Sequence, residues 1–353
     1  MRVLLAGDIL GGVRTYLVEL ARGLAAAGVD VDVALLGAQP DAELERELAG
    51  TAASSWQALD ASLEWMHDGS ADVSAAAAWI EELRAATAPD ILHMNAFVPV
   101  VEPDVPVLLT AHSCVSTWWR AVRGSDPPPL WDRYRALVAS ALGRAELVVT
   151  PTAALLRDLD SIYGRVSAAR VIANGLDVPR TAPGPRERLV VTAGRLWDPA
   201  KNARLLAAAA PRIHARVVAA GDGRFDGVAC VGPLPRARVL GLMRRAAVYC
   251  EPARYEPFGL SALEAALCGC ALVLGDIPSL REVWGRAASY VSPDDPEALA
   301  HEVNLLLDDE QRRAAAARDA LAVAAGYSRS RMVGGYLGGY HAAIGAREEV
   351  APR

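Results

Sequence analysis

The sequence predicts an α/β protein built from two doubly wound domains, each a parallel sheet with helices on both faces. Three observations lead there. The 353 residues exceed what one hydrophobic core usually holds and suit two domains. Short apolar runs alternate with amphipathic helical stretches, the pattern of strands joined by helical crossovers. The alternation pauses once, between Asp177 and Arg188, and then restarts.

In the first half, strands are read at Val3–Ala6, Val31–Leu36, Ile91–Met94, Val107–Ala111 and Leu147–Thr150, with a short one at Val171–Ala173. Their near-continuous apolar character is that of strands buried on both faces. Val13, Tyr16, Leu17, Leu20 and Leu24 share one face of a helix over 13–27. The stretch 177–188 is rich in proline and charge and lacks periodicity, so it reads as an interdomain linker. Strands resume at Leu189–Ala193, Ala215–Ala220, Val228–Val231, Ala247–Cys250, Ala271–Leu274 and Ser289–Val291. Asp295-Pro296-Glu297 is a helix start, a capping carboxylate followed by proline in the first turn. Residues 296–325 read as helix in two pieces. A last helix near 329–345 carries Gly334, Gly335, Gly338 and Gly339, which permit close packing. The domains are thus placed at 1–178 and 188–326, with 327–353 a C-terminal helix and tail returning to the first domain.

Composition narrows the class. Hydrophobic residues make up 52% and charged residues 22%, an ordinary globular balance. No apolar run approaches the roughly 20 residues of a membrane helix. Met1-Arg2-Val3-Leu4-Leu5 reads as a buried first strand rather than a signal peptide. Cys114, Cys230, Cys250, Cys268 and Cys270 are odd in number and lack metal-type spacing, which suits buried free thiols in the cytoplasm. Residues 1–180 hold 14 arginines against 23 acidic residues, whereas residues 181–353 hold 22 basic against 19 acidic. The second half is the expected home of an anionic ligand. The first half is a poor surface for nucleic acid or acidic lipid, so neither nucleic-acid binding nor membrane association is expected. The sequence carries no signal for an oligomeric state.

Lys201 is the sole lysine beside 35 arginines. Codon composition in a GC-rich genome explains the bias, and chance explains one surviving exposed lysine. The alternative is a site that needs a compact point charge rather than a planar fork. Arg195 ends the strand Leu189–Ala193 and its turn, and Lys201 is expected to open the next helix. Two cations near a helix N-terminus suit a phosphate or diphosphate. Farther on, Glu256-Pro257-Phe258-Gly259-Leu260-Ser261 leads into another helix that carries Glu264. The amides of Phe258, Gly259 and Leu260 would form an anion cradle, Ser261 adds a hydroxyl, and the Glu264 carboxylate suits a diol. Each glutamate alone is more often a helix-start residue complementing the dipole.

The set of residues taken together is more specific. Glu256 to Glu264 resembles the E-x7-E motif of retaining glycosyltransferases of the family-4 type, which have the GT-B fold of two Rossmann-like domains facing across a cleft. Arg195 and Lys201 resemble that family's diphosphate-binding pair, Gly221-Asp222-Gly223 its turn after the second C-domain strand, and Val231-Gly232-Pro233-Leu234 its strand end near the base. Asn174-Gly175-Leu176-Asp177 resembles its turn before the linker. The likeness is strongest over 187–300 and weaker, through Gly11-Gly12 and His112, in the first half. It implies that Arg195 and Lys201 hold the donor diphosphate, that Glu264 binds the ribose and that Glu256 lies beside the transferred sugar. It also implies that Leu234 meets the base, and that Gly12 and His112 approach the donor. Ser113 departs from the Asp that many relatives carry there.

Gly7, Gly11 and Gly12 do not form G-x-G-x-x-G, which disfavours a dehydrogenase-type dinucleotide site. Gly11, Arg14, Trp118 and Trp119 are the expected acceptor contacts, although the tryptophans serve equally well as core residues. The expected function is transfer of a sugar from a nucleoside diphosphate sugar, UDP favoured, to a soluble, small acceptor. No cofactor or metal is expected, since Asp30-Val31-Asp32 lies at a strand start, the wrong end for a metal triplet. Two alternatives stand beside this: a GT-B-type sugar-nucleotide epimerase or coupling enzyme, and a binding protein without catalysis.

Overall fold

The computed structural model describes residues 1–66, 72–100, 104–179 and 186–350, so residues 180–185 of the expected linker and the last three residues of the tail lie outside the described residues. The chain divides into two compact units. One comprises Met1–Arg120, Ser125–Leu176 and Arg329–Arg353; the other comprises Ala121–Gly124 and Asp177–Ser328.

The first unit holds strands β1 (Arg2–Asp8), β2 (Asp30–Gly37), β3 (Ser55–Asp60), β4 (Ile91–Met94), β5 (Val107–Thr110), β6 (Leu147–Thr150) and β7 (Ala169–Val171). All pair in parallel, in the order β3-β2-β1-β4-β5-β6-β7. Strand order reverses between β1 and β4, and ligands of such sheets bind at the carboxyl edge of that switch point. The connecting helices are α1 (Gly12–Ala26), α2 (Ala42–Ala49), α3 (Asp72–Thr87), α4 (Val115–Arg123), α5 (Asp132–Arg144) and α6 (Ala153–Tyr163). Val3, Leu4, Leu5 and Ala6 are all buried, as strands covered on both faces must be.

Two strands differ from the sequence reading. β3 was not expected, because Ser-Trp-Gln-Ala-Leu-Asp is neither continuously apolar nor cleanly alternating. It is an edge strand, half exposed, whose pairing with β2 rather than its own pattern makes it a strand. β7 lies two residues before the expected Val171–Ala173, because the ladder to β6 pairs Ala169 with Val148. Ile172, the apolar residue that drew the reading, is buried instead beneath the last helix.

The second unit holds β8 (Glu187–Ala193), β9 (Arg216–Ala220), β10 (Ala229–Gly232), β11 (Ala246–Glu251), β12 (Ala271–Gly275) and β13 (Ser289–Val291) in the parallel order β10-β9-β8-β11-β12-β13. Its switch point falls between β8 and β11. The helices are α7 (Ala203–Ala209), α8 (Arg236–Arg245), α9 (Leu260–Leu267), α10 (Pro278–Trp284), α11 (Pro296–Asp308) and α12 (Glu310–Ala324). The Asp295 carboxylate caps α11 by accepting from the amides of Glu297 and Ala298, as its sequence predicts. Gly221, at φ +145°, lets two strand ends close up, since a Cβ there would stand 1.9 Å from the Gly194 carbonyl oxygen.

The last helix, α13 (Arg329–Val350), belongs to the first unit and packs on α1, β5 and β6. Its glycines do allow close approach. A Cβ on Gly335 would lie 2.8 Å from Ile172, and one on Gly339 would lie 3.3 Å from both Leu108 and Leu147. Arg329 donates to buried Glu19 of α1 at 2.6 Å, which anchors the start of the helix.

Candidate active site

At the carboxyl edge of the six-stranded sheet, β8 ends at Ala193 and the chain turns through Gly194 and Arg195. Asp198 then starts a single 3-10 turn, Pro199–Lys201, by accepting from the amide of Ala200. Lys201 does not open an α-helix as expected. Asn202 follows in the left-handed region at φ 54°, and α7 begins only at Ala203. Asn202 locks this reversal by donating to the carbonyls of Pro252 (3.0 Å) and Pro293 (2.8 Å). The turn thereby aims Lys201 across the switch point toward the end of β11, its side chain running past Gly194.

There the ammonium meets two carboxylates, those of Glu251 and Glu256. Glu251 is the last residue of β11 and is 1% exposed. Tyr249 and Ser261 also donate to it, at 3.4 and 3.3 Å. Burial opposes the charge on Lys201, but attraction to Glu251 and then Glu256 outweighs it and raises the pKa. Burial pushes the Glu251 carboxyl up, with Lys201 opposing. Burial acts the same way on Glu256, yet there Lys201 and the amides of Phe258 and Gly259 prevail and the pKa falls. Burial thus acts against all three charges, and attraction prevails over it for Lys201 and Glu256 but not for Glu251.

Glu256 also corrects the expected anion cradle. Its Oε1 accepts the Phe258 amide at 3.3 Å and the Gly259 amide at 2.8 Å, so those donors already serve a carboxylate of this chain. Gly259 sits at φ 91°, a conformation that favours glycine, and starts α9. The Ser261 hydroxyl is turned to Glu251. Glu264, on α9, pairs with Arg236 at 2.6 Å. Arg236 opens α8, a few residues beyond half-buried Leu234. Arg195 is 43% exposed, 3.6 Å from Asp198, with its guanidinium 5.9 Å from the Trp197 ring.

The other expected residues lie in the first unit. Gly11, at φ 60°, precedes α1, and Gly12 is its first residue. Arg14 is committed to carboxylates: Asp41 at 2.7 Å, Glu47 at 3.6 Å and Glu43 at 3.9 Å. His112 follows β5 and bonds Asn95 at 3.0 Å. Trp118 and Trp119 meet edge to face on α4, 5.9 Å apart and half-buried. Asp30 and Asp32 lie at the start of β2, where Asp32 pairs with Arg2 at 2.7 Å and accepts from Ser55.

Sequence reasoning missed Glu251 and Arg236. A carboxylate closing an apolar strand run, and an arginine at a helix N-terminus where the dipole disfavours it, were the available signals. Among the described residues, no group of three or more His, Cys, Asp or Glu could hold a metal ion, and no helix is long and apolar enough to cross a membrane.

Two family models match the chain, Glycosyltransferase Family 4 over residues 10–180 and Glycosyl transferases group 1 over 187–309. Glycogen synthase of Mycobacterium tuberculosis is 30% identical over 278 residues, 66% of this chain and 64% of that protein. The chain thus aligns with less than two thirds of that relative's length. D-inositol 3-phosphate glycosyltransferase of Acidothermus cellulolyticus is 26% identical, covering 97% of this chain and 88% of that one. Among solved structures, sucrose-phosphate synthase of Thermosynechococcus elongatus superposes with a TM-score of 0.77 at 17% identity, over 98% of this chain and all of that one. The Anabaena HepE protein, solved with UDP and glucose, gives 0.76 at 19% identity, over 97% and 99%.

Proposed function

Because the chain belongs to the family-4 glycosyltransferases, with the GT-B fold, we propose that it moves a sugar from a nucleoside diphosphate sugar to a soluble small-molecule acceptor, with retention and without a metal ion. The observation that carries this reading is the half-buried Lys201 ammonium at the switch point, gripped by Glu251 and Glu256 beside the start of α9. UDP is the favoured nucleotide, on the strength of the UDP bound to the Anabaena relative.

The task is electrostatic. Negative charge gathers on the departing diphosphate while the sugar becomes oxocarbenium-like. Lys201 and Arg195 supply cations for the diphosphate. A phosphate reaching Lys201 competes with both glutamates. Glu251, whose carboxyl burial pushes up, yields its share of the ammonium. Glu256 stays ionised and faces the positive charge that develops on the sugar, positioning and stabilising it without a covalent bond. The acceptor oxygen attacks the anomeric carbon, the bond to the diphosphate breaks, and the acceptor proton passes to the leaving phosphate. Glu264, steadied by Arg236, is the ribose-binding carboxylate, and Leu234 lies toward the base. The excess of acid in residues 1–180 supports a neutral or cationic acceptor near Gly11, Trp118 and Trp119.

A thermal-shift screen against UDP-, GDP-, ADP- and dTDP-sugars tests the donor, because ligand binding raises apparent stability. The UDP-sugars should raise Tm most. A labelled donor should then yield a product of retained configuration, unaffected by EDTA, and Glu256→Gln should bind donor yet transfer at least 100-fold more slowly. No stabilisation by any of the four classes would sink the reading.

A further inference from the structure

At the switch point of the seven-stranded sheet, Asn95 follows β4 and is 6% exposed. Its Nδ2 donates to the Ala6 carbonyl at 3.1 Å. That bond fixes which way the amide faces, since the flipped amide would set its oxygen against another oxygen. Oδ1 must then face His112 Nε2, 3.0 Å away, and an amide oxygen only accepts. Gly7 makes the placement possible, because a Cβ there would stand 2.9 Å from the Asn95 Cβ.

We infer that Asn95 is a positioning residue that fixes His112 as the Nε2–H tautomer, so that the ring presents an unprotonated Nδ1 to a hydroxyl group of the substrate. This rests on the proposed sugar transfer for its use, not for its geometry. Tyr16 of α1 packs edge-on against the His112 ring, with centroids 4.4 Å apart. The titratable groups around it are the Tyr16 phenol and the His93 imidazole, the latter held by Thr110 and Tyr340 at 2.8 Å each. Among the described residues no charged side chain shifts it, and burial pushes the His112 pKa down to about 3. His112 therefore accepts a hydrogen bond throughout the working pH range. It neither serves as an acid nor adds positive charge for the diphosphate.

The test is the 15N spectrum of the imidazoles in the full chain, with His112→Gln assigning the signals. Bare and protonated ring nitrogens have well-separated shifts. Wild type should show a bare Nδ1 and an Nε2–H. Asn95→Leu should populate both tautomers, while Asn95→Asp, whose carboxylate still accepts, should retain Nε2–H. The carboxylate also raises the His112 pKa, so Asn95→Asp should gain an acid limb in its pH–rate profile that wild type lacks. Nδ1–H in the wild type, or an unchanged tautomer in Asn95→Leu, overturns the inference even if the chain transfers sugar. Failure to find any donor would overturn the proposed function and leave the tautomer result standing.

Discussion

At the carboxyl edge of the seven-stranded sheet, the polar side chains that meet are neutral. Asn95, His112, His93, Thr110, Tyr336 and Tyr340 bond one another through amide, imidazole and hydroxyl groups, and burial holds both histidines uncharged. At the carboxyl edge of the six-stranded sheet, they are charged. Lys201 lies between Glu251 and Glu256, and Arg236 grips Glu264. The two sheets share a switch-point topology, so topology does not set this contrast. A neutral network orients a group without attracting charge. An ion-paired cluster keeps a buried cation in place until a stronger anion arrives, and its cost is desolvation.

The contrast is broken most severely by removing Lys201. Buried Glu251 and half-buried Glu256 are then left without a cation, and Lys201→Ala should cost about 3 kcal/mol of stability as well as transfer. Urea midpoints measure it, and adding Glu251→Gln to Lys201→Ala should restore part of the loss. Lys201→Arg keeps the charge but brings a wide planar fork into a slot shaped for a point donor, and should slow transfer at least tenfold. Full stability in Lys201→Ala would show that the cluster is not a desolvated ion pair.

Glu64, which with Asp8 brings carboxyl groups beside the neutral network, tests it. Burial, helped by Asp8 and opposed by the Phe97 amide, lifts its carboxyl from 4.5 to about 7. A group with a raised folded-state pKa binds its proton more tightly when folded. Its contribution is therefore full below pH 4.5 and lost as pH rises through about 7. Wild type should lose about 2–3 kcal/mol between pH 4.5 and 8 from this group, and Glu64→Gln should flatten that slope. An equal slope in the variant would place the loss elsewhere.

The smallest expected effect is Tyr340→Phe, which leaves His93 Nδ1 buried without its partner. A loss of about 1–2 kcal/mol in urea midpoint is expected, with His93 still neutral. A His93 that becomes protonated near neutral pH would remove the distinction between the two edges.

Much of this was legible in the chain. The strands of both sheets announce themselves because a strand buried on both faces must be apolar throughout. Glu256, Glu264, Arg195 and Lys201 stand out because their spacing and the solitary lysine are facts of the sequence. The edge strands β3 and β7 were misread because their pairing is set by a neighbour rather than by their own pattern. Glu251 and Arg236 were overlooked for a related reason, since what matters about them is a partner 50 residues away for the first and 28 for the second.

The sequence by itself determined two wound sheets, the break between them and the residue types gathered near their strand ends. Apolar period, proline and capping residues act locally, so they can be read locally. Only the tertiary structure decided which charges meet. It turned Lys201 through a left-handed Asn202 onto two carboxylates, spent the amides of Phe258 and Gly259 on Glu256, and tied Arg14 to Asp41. Ion pairs and tautomers depend on atoms within a few ångströms of one another, and distances across a switch point are set by the fold, not by the spacing of letters in a chain.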